Sequence, residues 1–438
     1  MIYPKVISQA LDMAIAGAVI QRGEFVKGRG EFTRKRKLPL ETVIKLLLSM
    51  DGGSLKKELY KSGISVTPSA FVQQRSKISS NLFRQILQDF NRNCTDTATY
   101  KGYRVLAVDG TSINMARNPN APSFVSYEGN PTAGYNQMFL TPLYDLCSMT
   151  YYDAVVTPKP RAEEIGSLIA MLYRNDFEGK NIIVADRGYE SYNVFAHLLN
   201  HGGVDFVIRV KQDRSAMREI KKLPMMELDT DVSFTITTTQ TNEDKQKGHI
   251  LMQVPKKDGK MKKPKSRARW DFGHINPYPM KFRVVRFMLD TGEYETLTTS
   301  LPRSSFTIED LKILYHLRWG VETSFRLLKY CQLLVNLHGK KDEFVKQEIY
   351  SALTMYNFCN RVSNAVVIEQ KQENIHEYKV NLTMAMYLCR EFYRNPNADG
   401  AKLMRDIARY TEPIRLGRAD ERNLKAKSFA GFTYRVSA

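Results

Sequence analysis

Two short runs, residues 104–108 (RVLAV) and 181–185 (NIIVA), are almost wholly apolar, and each stops at an aspartate, Asp109 or Asp186. A strand buried on both faces reads as such a run, whereas a half-buried strand alternates apolar and polar residues. Strand-like stretches at 137–144 and 150–156 and a helical run at 163–173 lie between them; a helix at 192–200 and a strand at 205–210 follow. Strands alternating with helices after an antiparallel opening predict an α/β layer with parallel pairing. If the two aspartate strands are adjacent and parallel, both carboxylates emerge at one sheet edge, where open α/β folds place their sites. Each aspartate also has a local explanation, since Asp109-Gly110 is a turn dipeptide and Asp186-Arg187-Gly188 reads as a loop.

The flanking segments differ in character. Residues 1–100 read as helices: 40–50 follows the basic run 34–37, Thr67-Pro68-Ser69 opens a second helix carrying Gln73, Gln74, Arg75 and Lys77, and a third spans 81–90. Short helices with tight breaks and Gln and Arg near one start suit a small DNA-contacting region, as they suit any helical bundle surface. Between 211 and 302 the stretches 232–239, 249–254, 282–287 and 294–301 are β-like, and residues 255–270 form a basic loop ending in Trp270. From Glu309 the chain is helical almost to a basic tail after Arg415.

The chain has 438 residues and a formal charge of +19, from 65 Lys and Arg against 46 Asp and Glu. Its 43% hydrophobic content excludes wholesale disorder. No apolar run approaches the ~18–20 residues of a membrane span, and the stretch 13–20 (MAIAGAVI) reads as an ordinary helix, not a leader. Five scattered cysteines form no CxxC or Cys/His cluster, which fits a reducing cytoplasm. Excess positive charge points to a polyanion, chiefly nucleic acid, because each cation near a phosphate releases condensed counterions.

One helix, predicted over 309–330, carries more than packing residues. At ~100° per residue, Tyr315, Arg318, Glu322 and Lys329 share an arc of about 60°, beside a packing face of Ile313, Leu317, Val321, Phe325 and Leu328. Taken alone, the stripe also reads as solvated i,i+4 pairing of Arg318, Glu322 and Arg326. Two strand-end aspartates and a helical glutamate nevertheless make an oxygen-donor set suited to hard cations such as Mg²⁺. Two such ions serve phosphodiester cleavage by activating the attacking oxygen and stabilising the leaving one.

The order Tyr315, Arg318, Glu322, Lys329, together with VDGTSIN around Asp109 and VADRGYES around Asp186, resembles a large group of bacterial insertion-sequence transposases. Those enzymes carry a DDE triad on a ribonuclease-H-like domain, and some have a β-rich insertion before the glutamate. The resemblance covers roughly residues 65–350; the ends match only in helical and basic character. It implies an α/β fold with a ribonuclease-H-like mixed sheet flanked by helices, a β-rich insertion, and helical N- and C-terminal regions. The expected layout is a helical DNA-binding region (1–100), a catalytic domain (101–210 and 303–345), the insertion (211–302) and a helical C-terminal region (346–438) that is a candidate for dimerisation.

What the resemblance implies for the site is specific. Asp109, Asp186 and Glu322 hold two Mg²⁺ ions, with Mn²⁺ as a substitute. Arg318 and Lys329 contact transposon-end phosphates, and Tyr315 helps hold a flipped base or its phosphate. Relatives with the insertion form a DNA hairpin and supply an aromatic for the flipped base. Trp270 is one candidate here and Tyr294 another, with a buried structural role open for Trp270; Trp319 reads as a packing residue. Arg187 either touches a phosphate or forms a salt bridge within the fold. The implied partners are double-stranded DNA, as transposon ends and target, and a second copy in a synaptic homodimer, with no membrane and a bacterial cytoplasmic, nucleoid-associated location. The competing readings are a domesticated DNA-binding protein without catalysis and a ribonuclease-H-like metal nuclease.

Overall fold

The structure, a computed structural model, describes residues 3–94, 98–212, 217–252, 269–332, 334–370 and 375–414. Most of the basic loop at 255–270 and the tail after Arg415 lie outside them. The chain opens with six helices, α1 (Tyr3–Ile20), α2 (Arg22–Phe25), α3 (Leu40–Ser49), α4 (Leu55–Lys61), α5 (Pro68–Arg75) and α6 (Ser80–Asn93). The polar start signal at Thr67 is real: its hydroxyl accepts the Ala70 N–H, with Pro68 in the first turn.

The sheet begins with β1 (Tyr103–Val108), β2 (Thr111–Met115), β3 (Phe124–Tyr127), β4 (Asn130–Asp145) and β5 (Thr150–Pro158). Then α7 (Glu164–Arg174), β6 (Lys180–Ala185), α8 (Tyr192–His201) and β7 (Val204–Arg209) supply the α/β part. The order β5-β4-β1-β6-β7 is antiparallel across β5, β4 and β1 and parallel across β1, β6 and β7. This is the expected ribonuclease-H-like mixed sheet. Its central strands are apolar runs because both faces are covered. Leu106, Val108, Ile183 and Ala185 pack with α7 and α8, while Val105, Ala107, Ile182 and Val184 join the opposite core.

The β-rich stretch does not stand apart from that sheet. It contains α9 (Arg218–Lys221), β8 (Leu228–Thr237), α10 (Asn242–Gln246), β9 (Ile250–Leu251), β10 (Tyr278–Met288) and β11 (Tyr294–Thr299). Strand β11 pairs antiparallel with β7, so the sheet continues through β11, β10, β8 and β9 to eleven strands. The chain then forms α11 (Ile308–Leu317), α12 (Trp319–Tyr330), α13 (Asp342–Asn364), the small strand β12 (Tyr378–Val380), α14 (Leu382–Arg394), α15 (Gly400–Arg409) and β13 (Thr411–Pro413). None of the described helices is long and apolar enough to cross a membrane.

Helix α13 joins the N-terminal helices to the sheet, and it corrects one sequence expectation. Arg75, read as part of a DNA-facing helix surface, is 2% exposed and bonds the Gln347 and Glu348 side chains and the Phe344 carbonyl. A buried guanidinium is tolerable only with such partners. Replacing Arg75 by Ala removes the guanidinium from buried Glu348, which keeps the His338 N–H but loses its charge-compensating contact. We expect about 3–5 kcal/mol of lost stability, measured by denaturant unfolding of the full chain.

Candidate active site at the strand ends

Parallel pairing of β1 with β6 aligns Val108 with Ala185, so the next residue on each strand, Asp109 or Asp186, leaves the sheet at the same edge. Each carboxylate is oriented by backbone. Asp109 accepts the Gly110 N–H at 2.8 Å, and Asp186 accepts the Gly188 N–H at 2.7 Å. Burial raises Asp109 to about 6, with the Asp186 and Glu322 charges adding to the rise against the Gly110 N–H and Arg318. Like charges at one desolvated edge disfavour full ionisation, so this edge asks for a cation.

Glu322 arrives from α12. The predicted single helix is two, joined at Arg318, where the Arg318 and Val321 N–H groups each reach back three residues, to Tyr315 and Arg318. This tighter turn shifts the wheel. The buried apolar positions are Leu311, Leu314 and Tyr315 before the junction, and Val321, Phe325 and Leu328 after it. Ile313, expected to pack, is therefore 47% exposed, and Tyr315 and Arg318 are buried. Gly320 brings α12 close to the sheet, since a Cβ there would stand 3.1 Å from Leu146 Cδ2.

Arg318 links the acids. Its guanidinium lies 3.9 Å from Asp109 Oδ2 and 3.3 Å from Glu322 Oε1. It also sits 5.5 Å from the ring centroids of both Tyr315 and Trp319. Burial alone would lower its pKa, but Tyr315, Glu322 and Asp109 carry it upward. Tyr315 is 6% exposed, so its ring supports Arg318 and offers no stacking face to a flipped base. Lys329 donates to the Thr111 hydroxyl at 2.7 Å, two residues beyond Asp109. The structure thus brings Asp109, Asp186, Tyr315, Arg318, Glu322 and Lys329 to one edge.

The aromatic expectations change places. Trp270 is 1% exposed, packed edge-on to Tyr278 at 5.1 Å in the core of the β-rich stretch, so it presents no surface for a base. Trp319, expected to pack, is 46% exposed beside Arg318. Tyr294 is half-buried at the start of β11. Arg187 is exposed, and none of the ion pairs among the described residues involves it. Glu164 and Tyr189 also approach this edge. A Cβ on Gly110 would lie 2.2 Å from Glu164 Oε1, so Glu164 packs against the residue next to Asp109. Their signals were a paired acid at a helix start and a tyrosine inside the VADRGYES string.

A family model described as "Transposase DDE domain" matches residues 100–358, more than half of the chain. The chain belongs to the DDE transposase domain family. Among curated proteins it is similar to the putative transposase InsL for insertion sequence element IS186A of Escherichia coli (strain K12) and to the transposase for insertion sequence element IS421 of Escherichia coli. Each is 25% identical over 271 residues, covering 59% of this chain and 65% of the relative, so the match spans just under two thirds of those proteins. Among solved structures, the piggyBac transposase synaptic complex with hairpin DNA aligns at a TM-score of 0.42 and 11% identity, covering 96% of this chain and 86% of that one. Membership implies dependence on a divalent metal.

The residues fit that requirement in donor chemistry, because Asp109, Asp186 and Glu322 offer carboxylate oxygens, the donors hard divalent cations take. Among the described residues no three acidic, His or Cys side chains stand ready-gathered around one ion position, and Arg318 bridges Asp109 and Glu322. A raised carboxylate contributes stability below its ordinary value of 3.8, and that contribution is lost as pH rises through the folded value of about 6. Asp109→Asn, which cannot ionise, should therefore stabilise the metal-free protein by about 3 kcal/mol at pH 7–8 and leave it nearly unchanged below about pH 3. Melting curves in chelator across pH check this.

Proposed function

We propose that this chain is the transposase of an insertion sequence, binding the element's terminal inverted repeats and cleaving and joining DNA at their ends. The observation that carries the proposal is the β1–β6 register, which sets Asp109 beside Asp186, with Arg318 tying Asp109 to Glu322. In this reading Asp109, Asp186 and Glu322 hold two Mg²⁺ ions, or Mn²⁺ in their place. A bound cation pair supplies Lewis acidity to the attacking and leaving oxygens of a phosphodiester. The chain's own part is to hold the DNA in place. Arg318, pre-set on two aromatic rings, exchanges its carboxylate partners for a phosphate, and Lys329 adds a second phosphate contact. Arg187 extends this surface.

Cleavage frees a 3′-hydroxyl, which attacks target DNA in a cut-and-paste cycle with two ends synapsed by a homodimer. Where the cycle passes through a hairpin, a flipped base needs an aromatic surface, and Trp319 is the half-exposed ring beside the site. The excess charge of +19 fits a DNA-holding surface around an acidic centre.

Purified protein incubated with Mg²⁺ and DNA bearing the element's own ends should nick at those ends, and Asp109→Ala, Asp186→Ala and Glu322→Ala should each abolish nicking. Wild-type inactivity, or a triad variant that cuts normally, would sink the assignment. Trp319→Ala should reduce hairpin product while leaving first-strand nicking within a few-fold, resolved on denaturing gels; equal loss of both would remove its stacking role. Lys329→Ala should lower the slope of log affinity against log salt by about 1; an unchanged slope, in filter-binding titrations, excludes the phosphate contact.

A further inference from the structure

The strand edge holds more acid than the triad accounts for. Glu164 lies in the first turn of α7, and the close approach of its Oε1 to Gly110 sets it against the residue whose N–H orients Asp109. Any side chain at position 110 would overlap Glu164 and the Phe139 ring, at 2.2 and 2.4 Å, so the glycine there is what lets this carboxylate approach. Opposite it, Tyr189 follows Asp186 by one short turn and is 1% exposed. Its hydroxyl has no hydrogen-bond partner among the described residues. Beyond burial, the charges acting on that phenol are those of Glu164, Asp109 and Asp186, in that order. The buried, unpartnered hydroxyl is thus within electrostatic reach of the carboxylates at this edge.

We propose that Glu164 is a fourth carboxylate of this centre, giving oxygen to the divalent cation it holds, and that the Tyr189 hydroxyl positions Glu164 for it. The inference rests on Asp109, Asp186 and Glu322 being the cation-holding set. Three carboxylates bring three negative charges against the four positive charges of two divalent cations, and a fourth levels the count. Affinity of oxygen-donor sites rises with the number of charged ligands. A phenol donating to a ligating carboxylate fixes its orientation, as outer partners of metal ligands do. It would also satisfy a hydroxyl that is otherwise buried at a cost.

The test is Mn²⁺ binding to the full chain without DNA, read from the electron paramagnetic resonance signal of the free ion. Wild type, Asp109→Asn, Glu164→Gln, Glu163→Gln, Tyr189→Phe and the Glu164→Gln/Tyr189→Phe double variant are compared, with circular dichroism as the check on folding. Glu164→Gln should weaken binding on the order of 10-fold, while Glu163→Gln, exposed on the same helix start, should match wild type. Tyr189→Phe should weaken binding a few-fold, and the double variant should be no weaker than Glu164→Gln, because the phenol acts through Glu164. Wild-type affinity in Glu164→Gln with loss in Asp109→Asn would overturn the fourth carboxylate and leave the triad standing. Undiminished binding in Asp109→Asn would instead overturn the triad, and this inference with it. If Glu164→Gln does not fold, Tyr189→Phe decides, and wild-type affinity there overturns the proposal.

Discussion

The in-register parallel pairing of β1 and β6 is the constraint on which the site depends. Because Val108 faces Ala185 across the ladder, Asp109 and Asp186 are neighbours by backbone geometry, whatever their side chains prefer. The pairing is held by apolar side chains on both faces of both strands, one set against α7 and α8 and the other in the core shared with α12, α13 and the N-terminal helices. A one-residue slip would exchange the two faces and separate the aspartates. Two mutually repelling carboxylates are thus kept together by hydrophobic packing that has no part in their chemistry.

The same packing decides how the third acid arrives. The tightened turn at Arg318 lets α11 bury Tyr315 and α12 bury Val321, Phe325 and Leu328 while Glu322 stays at the sheet edge. Arg318 lies between the acids and 5.5 Å from the centroids of two aromatic rings. A guanidinium so placed offsets negative charge in a site made of acids. The β-rich stretch reaches the site too, since β11 pairs with β7 and sets Glu295, ion-paired with Arg209 of β7, near Tyr315.

Much of this was legible in the residues. The doubly buried strands announce themselves as RVLAV and NIIVA, and their ends as Asp109 and Asp186, because burial on both faces leaves no polar alternation to confuse. The four-residue stripe on one helix was legible as a group. The depth of its members was not: a helical wheel assumes an unbroken helix, and the turn at Arg318 rotates Ile313 outward and Tyr315 inward. The burial of Arg75, and the choice between the two roles open to Trp270, were not legible for a related reason. Arg75 is buried against Gln347 and Glu348, far away in sequence, and Trp270 packs on Tyr278 across a β-rich core. Glu164 was hidden because its closeness to Gly110 exists only after α7 folds back over the sheet.

On this reading one sheet edge gathers carboxylates to hold a divalent cation. A crystal structure of the full chain with Mn²⁺, recorded above and below the manganese absorption edge, tests it most directly. An anomalous peak should appear bounded by the carboxylates of Asp109, Asp186 and Glu322, with Arg318 displaced from between Asp109 and Glu322. Saturating Mn²⁺ that gives no peak at that edge, or a peak only elsewhere on the protein, would contradict it.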